Sequence, residues 1–199
     1  MTTRVSAKAE MQERILETTD RLFYGQGIRA IGVDTIAAET GISKRTLYNY
    51  FASKDALIAA YLSRRIRPIV ASDAPPAEQI LAVFDRLERT FAGRGFRGCP
   101  FVNAVAELGE HPARSIAASF KEGRRVWFRD RLVELRIRDA DGIATQLSLL
   151  VDGAIAAALV RGDVRMARAA REAARTLLRS AGVRFDPTRK SRRRRSARP

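Results

Sequence analysis

Residues 25–56 read GQGIRAIGVDTIAAETGISKRTLYNYFASKDA, and this run decides the fold. Two short helical patterns, Val33 to Thr40 and Lys44 to Phe51, flank the tripeptide Gly41-Ile42-Ser43. Gly41 tolerates the left-handed conformation that stops the first helix, and Ile42 can turn inward. The Ser43 hydroxyl is placed to accept the free amide near Thr46 and so start the second helix. Two helices joined by a three-residue turn containing glycine make a helix-turn-helix, whose second helix enters the DNA major groove. Val33, Ile36, Ala37, Ile42 and Leu47 are spaced to share one core, which leaves Lys44, Arg45, Thr46, Tyr48, Asn49 and Tyr50 outside.

On either side the helical pattern continues. Ile15, Leu16, Thr19, Leu22 and Phe23 recur as one face of an amphipathic helix over about Ala7 to Gly25, with Gly27 to close it and residues 1–6 expected to lack structure. Ser53 caps a further helix whose buried face is Leu57, Ile58, Tyr61 and Leu62. This helix is expected to run past Arg65 towards Pro68, where proline ends or kinks it.

The run TIAAETGISKRTLYNYFASKDALI, residues 35–58, resembles the DNA-binding domain of TetR/AcrR-family transcriptional regulators. The similarity reaches back through LETTDRLFYGQG, residues 16–27, and covers residues 10 to 62. Ala37, Gly41, Ser43, Leu47, Tyr48, Tyr50, Phe51, Ser53, Lys54 and Leu57 all stand in family register. One departure concerns the start of the second helix, where the family often has Thr or Ser followed by an acidic residue three positions on. Here those positions are Gly32 and Thr35, so a weaker helix start is expected on the same fold.

The residue types assign roles along the second helix. Lys44 and Arg45 are candidates for guanine edges or phosphate, and Asn49 for adenine. Thr46 and Tyr50 suit phosphate oxygens, Tyr48 a thymine methyl or a phosphate, and Ser43 the cap that holds the helix start. Lys54 and Thr35, each in the first turn of a helix, can grip phosphate together with free amides. A polar helix face is ordinarily no more than a solvated one. The Gly-Ile-Ser turn, the adjacent aromatics and the family register point instead to DNA.

Charge is the compositional outlier, at +15 over 199 residues. The last sixteen residues hold eight Lys or Arg against one Asp, whereas the first 65 hold ten basic against seven acidic residues. The helix-turn-helix region is therefore no general polycation. The basic run Arg189 to Arg198 offers almost nothing to bury, and residues 184–199 are expected to be a disordered tail. The tail lacks the interleaved apolar residues of an interfacial helix, so no membrane partner is expected. Cys99 is the single cysteine, which excludes an intrachain disulfide. The N-terminal MTTRVSAKAEMQ has no signal-type apolar stretch, and the hydrophobic run Ile143 to Val160 carries Gln146, Ser148 and Asp152, which makes it a poor span. A cytoplasmic location is expected.

Behind the first three helices, six more are expected, with no strand. Ile80, Leu81, Phe84, Leu87 and Phe91 stripe the fifth. Pro100 opens a short sixth that ends near Leu108. Ile116, Phe120, Gly123, Trp127, Arg131 or Leu132, and Leu135 stripe the seventh. Ile143 to Val160 is the eighth, and Asp163 to about Ala181 the ninth, with Met166, Ala170, Ala174, Leu177 and Leu178 on one side. The expected architecture is all-α: a DNA-binding domain over residues 1–52, a ligand-sensing and dimerisation domain over 53–183, and the tail.

One helix-turn-helix reads few base pairs, so a homodimer on palindromic double-stranded DNA is expected. Leu149, Gly153, Ala156, Ala157, Val160, Ala170, Ala174 and Leu177 are the candidate pairing surface, and by resemblance TetR regulators pair their final two helices in this way. The resemblance also implies a small-molecule effector held among the middle helices. Candidates are Phe84, Leu87, Phe91, Cys99, Asn103, Glu107, Phe120 and Trp127, with Asn103 and Glu107 as polar anchors. No cofactor or metal is expected: Cys99 and Glu107 share one face of a short helix, His111 joins them only if that helix continues through Gly109, and such a set cannot surround an ion without other ligands. One His, one Cys and no Gly-rich phosphate loop leave little for an enzyme. The expected function is a ligand-released repressor; the alternative is a nonspecific nucleic-acid binder driven by the tail.

Overall fold

The computed structural model describes residues 2–67 and 72–185; the side chains of 2–6 are not described. Residues 186–199 of the expected tail lie outside the described residues, as does Met1. The tail is expected from 184, but Phe185 packs on the second core described below with Arg175 and Arg179 over its ring, because an aromatic side chain there still has apolar surface to bury. Among the described residues there are nine helices and no strand: α1 (Thr2–Gln26), α2 (Val33–Thr40), α3 (Lys44–Tyr50), α4 (Lys54–Arg65), α5 (Pro76–Phe91), α6 (Pro100–Leu108), α7 (Ala113–Glu134), α8 (Ala140–Arg161) and α9 (Met166–Ser180).

Several boundaries differ from expectation. Helix α8 begins at Ala140 instead of Ile143, and α9 at Met166 instead of Asp163. Residues 2–6 continue α1 instead of lacking structure. Helix α4 ends at Arg65, short of Pro68, because Ile66 leaves the helical region and its N–H closes back on the Ser63 carbonyl.

The apolar side chains collect in two clusters. The first joins Ile15, Leu22 and Phe23 of α1 to Ile36, Leu47, Leu57 and Tyr61, and it continues into Phe101 and Ala104 of α6 and Ala113 and Ala117 of α7. The second holds Ile80, Leu81 and Phe84 of α5, Phe128 and Leu132 of α7, and the inner faces of α8 and α9. Hydrophobic continuity therefore does not break at residue 52. Helix α6 and the start of α7 are built into the same core as the helix-turn-helix. Burial of this kind contributes about 25 cal/mol per Å² of apolar surface, so the two parts are mechanically joined. Polar groups inside it are satisfied locally: the Thr19 and Thr40 hydroxyls donate to the carbonyls of Ile15 and Ile36.

The face of α7 is rotated from the expected one. Gly123 is exposed and Trp127 only partly buried, while Ala117, Arg124, Phe128 and Leu132 point inward. The sequence stripe is misjudged because a charged residue at 124 breaks its apolar phase, yet Arg124 finds an acidic partner on α8 (2.7 Å to Asp152). Helix α8 is long and apolar enough, by length and composition alone, to cross a membrane. Its inner face instead packs on α5, α7 and α9, and its Asp152 is ion-paired.

Candidate nucleic-acid interface

Helix α3 is only seven residues long, so its position depends on how its ends are held. Gly41 adopts φ +73°, and the Ile42 N–H returns to the Ala37 carbonyl at 3.0 Å, which closes α2. Ser43 is extended, and its Oγ accepts the Thr46 N–H at 3.0 Å while lying 2.8 Å from the Thr46 hydroxyl. Leu47 is fully buried and anchors the helix from below. Phe51 is buried and Tyr50 half-buried, so of these two rings Phe51 is the one committed to the core. Gly32 caps α2 without a side-chain bond, in keeping with the departure from the family pattern.

The remaining residues of α3 form one outward face. Lys44, Arg45, Tyr48 and Asn49 are exposed, and Thr35 is exposed at the start of α2. Arg45 and Asn49 make no ion pair or hydrogen bond within the described residues and lie one turn apart on the same face.

Both lysines are less free than their sequence positions suggest. Lys44 Nζ donates to Asp34 of α2 at 3.0 Å, and this hydrogen bond, with the carboxylate's charge, raises its pKa. Lys54 is half-buried: its ammonium donates to the Ile28 carbonyl at 2.8 Å and lies 5.9 Å from the Phe23 ring centre. Burial lowers its pKa, against the opposing pull of Asp55 and Glu107. Lys54 therefore already ties α4 to the segment between α1 and α2, and its role as a phosphate ligand would have to be shared with that one.

A second set of contacts, not anticipated from sequence, fastens this domain to the region behind it. The Tyr24 hydroxyl donates to the Gly98 carbonyl at 3.0 Å and accepts the Arg97 N–H at 2.9 Å. The Arg97 guanidinium reaches the Gly25 carbonyl. Glu107 Oε2 accepts the Arg29 N–H at 3.0 Å, and His111 Nε2 lies 3.2 Å from Asp55 at the start of α4. Arg65 grips Asp20 with two nitrogens, at 2.5 and 2.7 Å, and stacks over the Tyr24 ring. Only the partners' distance in sequence hid these contacts, since each residue alone reads as an ordinary exposed polar group.

The effector candidates do not converge. Phe84, Leu87, Phe91 and Trp127 belong to the second cluster, whereas Cys99 and Phe120 belong to the first. Phe84 is fully enclosed by core neighbours. Asn103 Nδ2 donates to the Arg97 carbonyl at 2.8 Å and Glu107 turns to Arg29, so neither is an anchor inside an apolar pocket. Both side chains serve the loop and domain contacts that lie within their reach.

The pairing candidates separate as well. Leu149, Gly153, Ala156 and Val160 form an exposed stripe on α8, with Leu149 65% and Val160 85% accessible; Ala157 and Leu177 are half-buried. Ala170 and Ala174, expected on the pairing surface, are instead buried inside the subunit, because α9 turns them against α5 and α8. An open groove of about 380 Å³ runs beside the stripe, lined by Gln146, Leu149, Leu150, Ala173 and Leu177.

Comparison with known proteins agrees with this geometry. The family model described as "Bacterial regulatory proteins, tetR family" matches residues 15–61, the span of α1 to α4 that carries the helix-turn-helix. A TetR-family transcriptional regulator of Streptomyces coelicolor superposes with a TM-score of 0.80 at 31% identity, over 88% of this chain and 97% of that one. A tetR-type regulator structure from Streptomyces avermitilis gives 0.73 at 32% identity, over 87% and 99%. An uncharacterised HTH-type transcriptional regulator of Mycobacterium tuberculosis is 38% identical over 76 residues, which span 35% of this chain and 38% of that protein. The chain belongs to the TetR family of helix-turn-helix, DNA-binding transcriptional regulators.

Proposed function

We propose that the protein is a cytoplasmic homodimeric repressor that binds a palindromic operator and leaves it when a small molecule enters the C-terminal region. The observation that carries DNA reading is the outward face of α3, where Arg45 and Asn49 stand free over the buried Leu47. Arg45 is assigned to a guanine edge, Asn49 to adenine, and Thr35, Thr46, Tyr48 and Tyr50 to backbone or methyl contacts. Ser43 holds the helix start.

The exposed apolar stripe of α8, with Leu177 beside it, supports pairing by a second copy, which would present two α3 helices to one duplex. Release follows if the effector favours one tilt of α4, since α4 begins beside the helix-turn-helix and packs on α6 and α7.

Selection of bound sequences from a random DNA pool, with light scattering of the free protein, tests this reading. Enrichment of one palindrome by a dimer is expected. Equal binding of all sequences would replace it with nonspecific coating driven by the basic tail.

A further inference from the structure

Helices α7 and α8 meet at an unbalanced cluster of charges. Lys121 Nζ and Arg124 Nη2 both donate to one oxygen, Oδ1 of Asp152, at 2.5 and 2.7 Å. Arg124 is only 9% exposed, and its Nε has no hydrogen-bond partner. The neighbouring Ser148 hydroxyl, whose residue's carbonyl lies 3.4 Å from Arg124 Nη2, is also buried without a partner. Two cations thus face one carboxylate, which leaves a net positive charge and an unused Arg124 Nε, and the Ser148 hydroxyl one turn before Asp152 is unused as well. A buried guanidinium is costly unless its donors are met, so such an excess needs a reason.

Apolar side chains flank the cluster on its inner side. The cluster sits on the seam between the two hydrophobic cores. Phe120, one turn before Arg124, packs with the first core, and Phe128, one turn after it, lies in the second. Ile155, one turn after Asp152, touches both.

We propose that Lys121, Arg124 and Ser148 form a carboxylate-binding site for a small organic acid with an apolar body. The acid's carboxylate takes the Arg124 Nε edge, the remaining Lys121 donors and the Ser148 hydroxyl, and brings the cluster to neutrality beside Asp152. Its apolar body enters the seam next to Phe120 and Ile155. Opening that seam moves α7, which packs on α4. The inference rests on the ligand-released reading above only for its regulatory consequence.

The test uses the full chain and three probes that share one apolar body: 3-phenylpropionate, 3-phenylpropanol and 3-phenylpropylamine. Thermal shift and calorimetry should detect the acid and not the alcohol or the amine. Arg124→Gln and the more exposed Lys121→Gln should each weaken acid binding by about tenfold or more, as expected for a lost hydrogen bond between charged groups. Asp152→Asn removes the competing carboxylate and should tighten binding, a gain that a purely structural ion pair would not produce. Equal response to all three probes, no response to the acid, or unchanged binding in Lys121→Gln would overturn the site. Operator release is read separately by fluorescence anisotropy on the selected palindrome. Binding of the acid without release keeps the site and removes ligand-released repression. Release by an uncharged compound, with no acid bound, does the opposite.

Discussion

Glu107, near the end of α6, accepts the backbone N–H of Arg29 at 3.0 Å across 78 positions of sequence. Its carboxylate also leaves little room at Gly27, where an added Cβ would stand 3.1 Å from Oε2. This side chain thereby helps to hold the segment that leads into α2 and α3 against α6.

Removing that side chain should loosen the hold without unfolding the protein. Glu107→Ala is expected to cost about 1 kcal/mol in a urea titration, the net value of one hydrogen bond, and Glu107→Gln should restore most of it. Gly27→Ala should cost more, about 1–3 kcal/mol, because φ +100° strains any residue with a Cβ and the methyl meets Glu107. Equal stability of Gly27→Ala and the parent chain would contradict the described turn.

On α3 the exposed residues should divide by role. Arg45→Ala is expected to relax base preference at one position of the operator, by about 1–3 kcal/mol against the wrong base. Asp34→Asn frees Lys44 from its ion pair. It should strengthen binding to all sequences alike and steepen the salt dependence by about one counterion. Sequence selection and salt titrations on both variants separate the outcomes; a change of base preference in Asp34→Asn would reverse the assignment.

Alkaline pH should affect the two lysines in order. Burial depresses the Lys54 pKa in the fold, so its charged form is disfavoured there relative to the unfolded chain. It therefore weighs against folding while charged, and that penalty disappears as pH rises from the depressed folded value to the ordinary lysine value. Lys44, held up by Asp34, keeps its charge to higher pH. Operator affinity should thus begin to fall where Lys54 deprotonates, and Lys54→Arg should move that fall upward. A profile that Lys54→Arg leaves unchanged would remove Lys54 from the DNA contact.

Two substitutions on the last helices should fail in different ways. Val160→Glu, on the exposed stripe, should leave a folded monomer by light scattering with unchanged helical circular dichroism. Ala174→Glu places an unpaired charge in the core of the subunit and should destabilise the fold itself. A Val160→Glu chain that remains dimeric would move the pairing surface elsewhere.

Much of this protein follows from local pattern. The Gly41-Ile42-Ser43 turn, the Ser53 cap, the inward spacing of Leu57, Ile58, Tyr61 and Leu62, and the helical order were all legible in the residues, because caps, turns and periodicity act over a few positions. What tertiary structure decided was partnership between distant segments. Arg124 turns inward because Asp152 waits on another helix, and Ala174 is buried because α5 and α8 close over it. Glu107 leaves the pocket it was expected to line because Arg29 offers an amide on the neighbouring domain. Hydrophobic periodicity marks a helix's apolar face, but the energy of a charged or small side chain depends on what the rest of the chain brings against it.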